Sequence, residues 1–148
     1  MRGWIFRIGI IGVIAIGAFI FRDRLSSNAG ELQVGDCFDV PTTLGDVADV
    51  QHHPCVEAHT GEAFAVLTHP AAKDAPPLSE AQLVDYLSSA CGSAFIAYVG
   101  PAAATAELLD FGAFYPRDED WGDGDREITC YAYRLDEATM TTSVHKTP

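Results

Sequence analysis

His52, His53, Cys55, His59 and Glu62, all side chains with ligand chemistry, fall within eleven residues. Imidazole, thiolate and carboxylate at such spacing suggest a transition-metal site. Two points argue against it. His59 and Glu62 would be neighbours only on a helix, and Glu62 opens a segment that alternates like a strand. Cys55 belongs to a set of four cysteines best explained by disulfides. The histidines then read as surface imidazoles with a structural His59, and no metal or other cofactor is expected.

A second cluster, Asp118, Glu119, Asp120, Asp123 and Asp125, could gather a hard cation. An EF-hand loop needs oxygen ligands at positions 1, 3 and 5 and glycine at 6. Counting from Asp118 puts Gly122 at position 5, so the pattern fails and a solvated turn is expected. Cys91-Gly92-Ser93-Ala94-Phe95 brushes against the papain-like signature, but Ala94 stands where the nucleophile would be. No G-x-S-x-G, P-loop or dinucleotide fingerprint occurs, and no catalytic residue is assigned. Arg126 carries a planar fork suited to a carboxylate or to free carbonyls, with Asp36, Glu62 and Asp125 as available acids. His59, Glu62 and Arg126 are therefore kept as the candidate polar site.

The cysteines are Cys37, Cys55, Cys91 and Cys130, none in a C-x-x-C pair. An even count downstream of an export segment reads as two disulfides. Three connectivities exist. Local pairing, Cys37–Cys55 and Cys91–Cys130, gives each half of the domain its own staple, contributing ~3 to 4 kcal/mol each in the chain-entropy account.

The export segment is the apolar run from Gly3 to Phe21, broken only by Arg7. As a helix it nearly spans the ~30 Å hydrocarbon layer. A cleaved signal peptide is the rival, but Arg22, Asp23 and Arg24 follow directly where a cleavage region is usually neutral. Residues 1–24 are read as an uncleaved transmembrane anchor. Flanking charges are nearly balanced, so the cysteines decide orientation: a single-pass plasma-membrane protein with its C-terminal domain extracytoplasmic. Beyond the anchor, five basic residues face 20 of the 21 acids in a chain of net charge −12. Nucleic acid, which needs clustered Lys and Arg, is a poor partner.

The elements that must position these groups follow in order. Residues 25–30 read as a polar stalk. Glu31 to Val40 reads as a strand kinked at Gly35-Asp36, and Val50 to Glu57 as a second short strand. Glu62 to Thr68 is a clearer strand, with Phe64 and Val66 on one face. Ser79 and Gln82 fit a capping box that opens a long helix, whose stripe runs Leu83, Leu87, Cys91, Phe95, Tyr98 and stops at Gly100-Pro101. Ala102 to Ala104 reads as a linker, Glu107 to Tyr115 as containing a strand, and 117–126 as an acidic loop. In the strand Glu127 to Leu135, Ile128, Cys130 and Ala132 share one face. Residues 136–148 read as a polar, mobile tail. The fold class is α+β: a small domain, 31–135, with a mainly antiparallel sheet and one long helix packed on it.

Taken together, Val34-Gly35-Asp36-Cys37-Phe38, Cys55-x-x-x-His59-x-x-Glu62-x-Phe64, Cys91-x-x-x-Phe95-x-x-Tyr98, Tyr115-Pro116, Trp121, Gly124-Asp125-Arg126 and Cys130 resemble the septum-formation family of actinobacterial envelope proteins. The resemblance covers Val34 to Tyr133. It implies a membrane-tethered exported domain linked to division or cell-envelope assembly, and it carries no catalytic residues. The expected function is a non-enzymatic docking or structural module with an envelope or division protein as partner. The alternative is an exported ligand-binding or hydrolytic domain using His59, Glu62 and Arg126. A hydrolase should show these residues converging in a water-accessible cleft.

Overall fold

The computed structural model describes residues 26–27, 29–42 and 49–146. Six strands form one antiparallel sheet: β1 (Ser26–Ser27), β2 (Cys37–Phe38), β3 (Val50–His53), β4 (Gly61–Thr68), β5 (Leu109–Phe114) and β6 (Glu127–Arg134). Their spatial order is β1-β3-β2-β4-β6-β5. Helix α1 (Glu80–Val99) packs on one face, followed by short helices α2 (Pro101–Ala104) and α3 (Asp118–Asp123). The small α+β domain with one long helix is thus as the sequence suggests. The anchor expected at 1–24 lies outside the described residues. Among the described residues, no helix is long and apolar enough to cross a membrane.

Helix α1 starts where its chemistry dictates. The Ser79 hydroxyl accepts from Gln82 N, and the Gln82 side chain accepts from Ser79 N, closing the capping box. Gly100 ends it, its N–H reaching Ile96 O. Cys91, Phe95 and Val99 form the buried face, over Phe64, Ala65, Ile128, Cys130 and Ala132. Burying Phe95 alone contributes about 2 to 3 kcal/mol. The Cys91–Cys130 disulfide pins the helix to β6, and Cys37–Cys55 ties β2 to the turn after β3.

The opposite face carries a second core of Ala29, Leu32, Phe38, Val50 and Ala63, with Phe114 and Tyr131 against it. Phe38 on β2 and Phe114 on β5 are three strand spacings apart, about 14 Å in a flat sheet, yet their rings are 5.8 Å apart. The sheet curls to bring them together. Gly61 permits the close approach, since a Cβ there would lie 2.6 Å from Val40 Cγ2 and 3.0 Å from Phe38 Cζ.

Several expectations change on inspection. The first strand shrinks to Cys37–Phe38, because Gly35 at φ 93° turns the chain just before it. The second ends at His53, short of Cys55. Phe64 and Val66 do not share a buried face: the register shifts between Ala63 and Ala65, so Ala63, Phe64 and Ala65 are all buried while Val66 is exposed. The stalk is partly built into the domain, with Ser26–Ser27 paired to β3 and Ala29 in the second core. The linker after Gly100 is helix α2, and the acidic loop contains α3, whose Trp121 is buried.

The largest correction concerns the tail. Residues 136–146 are packed against the domain, not loose. His59 and Met140 exchange both backbone hydrogen bonds, and Lys146 N donates to Tyr98 O. A segment that satisfies its backbone groups on the domain loses the reason for mobility that its polar composition suggests.

Candidate functional site

Glu62 is the second residue of β4 and has no exposed surface. A buried carboxylate needs hydrogen-bond donors, and three are present. Tyr98 Oη donates to Oε1 at 2.7 Å, Ser143 Oγ to the same oxygen at 2.6 Å, and Val144 N to Oε2 at 2.7 Å. The helix supplies one donor and the docked tail supplies two. Burial, and then the Glu62 carboxylate, push the Tyr98 phenol well above its ordinary range, so it remains a donor.

His59 is also fully buried. Its Nδ1 donates to Glu57 O at 2.8 Å, and its Nε2 has no hydrogen-bond partner among the described residues. Both residues lie under the C-terminal segment, His59 through its backbone and Glu62 through its carboxylate.

Arg126 is elsewhere. It precedes β6 at the opposite end of β4, where its carbonyl accepts from His69 N. Seven residues along a strand separate that point from Glu62, about 20 Å. Among the described residues its guanidinium meets carbonyls and no carboxylate: Nη1 donates to Trp121 and Asp125 O, and Nη2 to Ala72 and Lys73 O, at 2.6 to 2.9 Å. The plane stacks 3.8 Å from the Trp121 ring centroid, and Trp121 Nε1 donates to Ala75 O. His69 completes the layer, 5.2 Å from Trp121 and 4.3 Å from Tyr86. Burial and the nearby Arg126 charge lower its pKa, and its Nδ1 accepts from Ala71 N. Arg126 therefore fastens the proline-containing loop after β4 to α3 and β6.

The three candidates thus do not form one constellation. Sequence missed the partners of Glu62. Tyr98 was legible only as part of the helix stripe, and Ser143 and Val144 carried no signal. The acids 118–125 take local roles: Asp120 pairs with Arg117, which lowers its pKa, and Asp125 accepts from Glu127 N. Among the described residues, ligand-type atoms within 4.8 Å of one another occur at Cys37, Cys55 and Glu62, and the two sulfurs are bonded to each other. An open depression of about 520 Å³ lies on the surface, lined by Leu32, Val34 and Val66 between Glu31 and Glu127.

Against known proteins, a family model described as septum formation matches residues 34–147, which includes the docked C-terminal segment. No curated protein and no solved structure matches the chain.

Proposed function

The chain belongs to the septum formation family, and from that premise we propose that it is a non-enzymatic, membrane-anchored docking module acting in septum formation from outside the cytoplasm. The observation that carries this reading is that the fold itself holds the Glu62 carboxylate and the Arg126 guanidinium. Glu62 holds the tail, Arg126 holds the loop after β4, and neither Glu62 nor His59 meets solvent. The anchoring part of the proposal rests on the apolar run Gly3 to Phe21, and the outward orientation on the paired cysteines.

The docking surface in this reading is the depression where Val34 and Val66 are exposed, at 56% and 37%. Its flanking acids, on a strongly acidic domain, suit a partner with an apolar contact and a basic rim. A photo-crosslinking residue at Val34 or Val66 in intact membranes should capture a division or envelope protein. The same residue at Val84, exposed on α1, should not. Equal capture at all three positions would defeat the assignment of the surface. Complete loss of division function in Arg126→Ala and His59→Ala, with both melting as wild type, would defeat the non-enzymatic reading.

A further inference from the structure

We infer that the Cys37–Cys55 disulfide is a thiol–disulfide exchange site, taking dithiols as electron donors, with Glu62 managing the proton at Cys37. The inference goes beyond the docking proposal and gives Glu62, which also holds the tail, a second task beside the disulfide.

Strand register brings the groups together. Cys37 on β2 lies directly opposite His53 on β3 and Glu62 on β4. Directly opposed residues share a face, with Cβ atoms about 4.5 to 5.5 Å apart. One cross-strand row therefore reads imidazole, sulfur, carboxylate. Glu62 has a carboxylate oxygen within 4.8 Å of both sulfurs. His53 is itself oriented, with Nε2 2.8 Å from Asp39 Oδ2. The two sulfurs differ in access: Cys37 is 1% exposed, whereas Cys55 is half-buried in a turn beside Val56, which is 81% exposed. An attackable sulfur joined to a sheltered one, with an acid–base group beside the sheltered one, is the arrangement that exchange chemistry requires. The second disulfide offers an internal contrast. Cys91 and Cys130 are both 0% exposed, within the apolar layer of Phe64, Phe95 and Ile128.

The step balances as follows. A thiolate of the dithiol attacks Cys55 Sγ, and the bond to Cys37 breaks. Cys37 leaves with the electron pair and takes a proton from Glu62, which is resupplied from water through the hydroxyl of exposed Ser143, 2.6 Å from its Oε1. The second thiolate of the donor then attacks the donor sulfur in the mixed disulfide and releases Cys55. The dithiol loses two electrons and two protons, and the cysteine pair gains them. In the oxidising direction, Glu62 accepts the Cys37 proton as that thiol resolves a mixed disulfide at Cys55.

The test uses the purified full-length chain, dithiothreitol as donor, and alkylation with mass spectrometry as readout. Cys37–Cys55 should open ~100-fold or more faster than Cys91–Cys130, with near-UV circular dichroism retained. Brief reduction should alkylate Cys55 ahead of Cys37. Re-oxidation by glutathione disulfide should slow ~10-fold or more in Glu62→Gln and lose part of its pH dependence. Should Glu62→Gln fail to fold, Tyr98→Phe, which removes one donor from the same carboxylate, must shift the pH profile instead. The inference is overturned if both disulfides open together only as the protein unfolds. It is overturned equally if alkylation shows no preference for Cys55, or if the folded variant keeps wild-type rates and pH profile.

Discussion

Replacing Arg126 with alanine tests the architectural account most directly. The side chain makes four charge-assisted hydrogen bonds to the carbonyls of Ala72, Lys73, Trp121 and Asp125, and it stacks on Trp121. Hydrogen bonds to a charged group contribute about 1.5 to 3 kcal/mol each, so a simple sum would be far too large. Two effects reduce it. Burying a guanidinium without a carboxylate partner carries a desolvation penalty of several kcal/mol. The carbonyls of Ala72 and Lys73 lie on exposed residues, where water can replace the lost donors. A net loss of about 3 kcal/mol remains, equivalent to ~10 to 15 °C in melting temperature for a domain of this size. Arg126→Lys should recover less than half, because one ammonium cannot span the carbonyls of both segments. Arg117→Ala, which removes an exposed ion pair with Asp120, should leave the melting midpoint almost unchanged. Denaturant and thermal melts with disulfides intact give all three values. An Arg126→Ala protein melting within about 2 °C of wild type would refute the argument that this guanidinium holds the loop.

Three further outcomes are expected. Tyr98→Phe, which withdraws a donor from buried Glu62, should destabilise by about 1.5 to 3 kcal/mol in urea melts, and an unchanged midpoint would show that the network is dispensable. His69 has a folded pKa below its ordinary value of 6.5, so the unfolded chain binds more protons just below pH 6.5; its contribution is present above that pH and is lost as pH falls through the folded value. His69→Phe should flatten this slope in melts from pH 7.5 to 5, and an identical slope would show that another group is responsible. Alkaline phosphatase fused after Pro148 should be active in cells, and activity of a cytoplasmic reporter in its place would reverse the orientation.

What the sequence could disclose depended on how local each cause was. Helix α1 was legible because Ser79, Gln82 and Gly100 act within a turn or so of the residues they cap. Strand β6 was legible because Ile128, Cys130 and Ala132 alternate without interruption. Strand β4 was half legible, since its alternation is broken by a bulge at Ala63–Ala65. The Arg126 contacts were hidden for another reason. Its partners are carbonyls, which every residue carries, so a search for acids among Asp36, Glu62 and Asp125 looked for the wrong chemistry. The docked tail was hidden because its interactions use backbone groups and a carboxylate 82 positions away. Polar composition alone makes such a segment look unattached.

The clasp between Glu62 and Val144 also sets an order of events. The chain is synthesised from its N-terminus, and β4 is made long before residues 143 and 144 exist. Until they arrive, a carboxylate destined for the interior lacks two of its three donors and is better left in water. The β2–β4 end of the sheet therefore stays open until the last residues arrive, whereas the Cys91–Cys130 staple needs nothing beyond β6. This favours a pliable end during synthesis and a late, cooperative locking step afterwards. A chain arrested before Ser143 should remain open to protease around Glu62, while the half containing the helix resists.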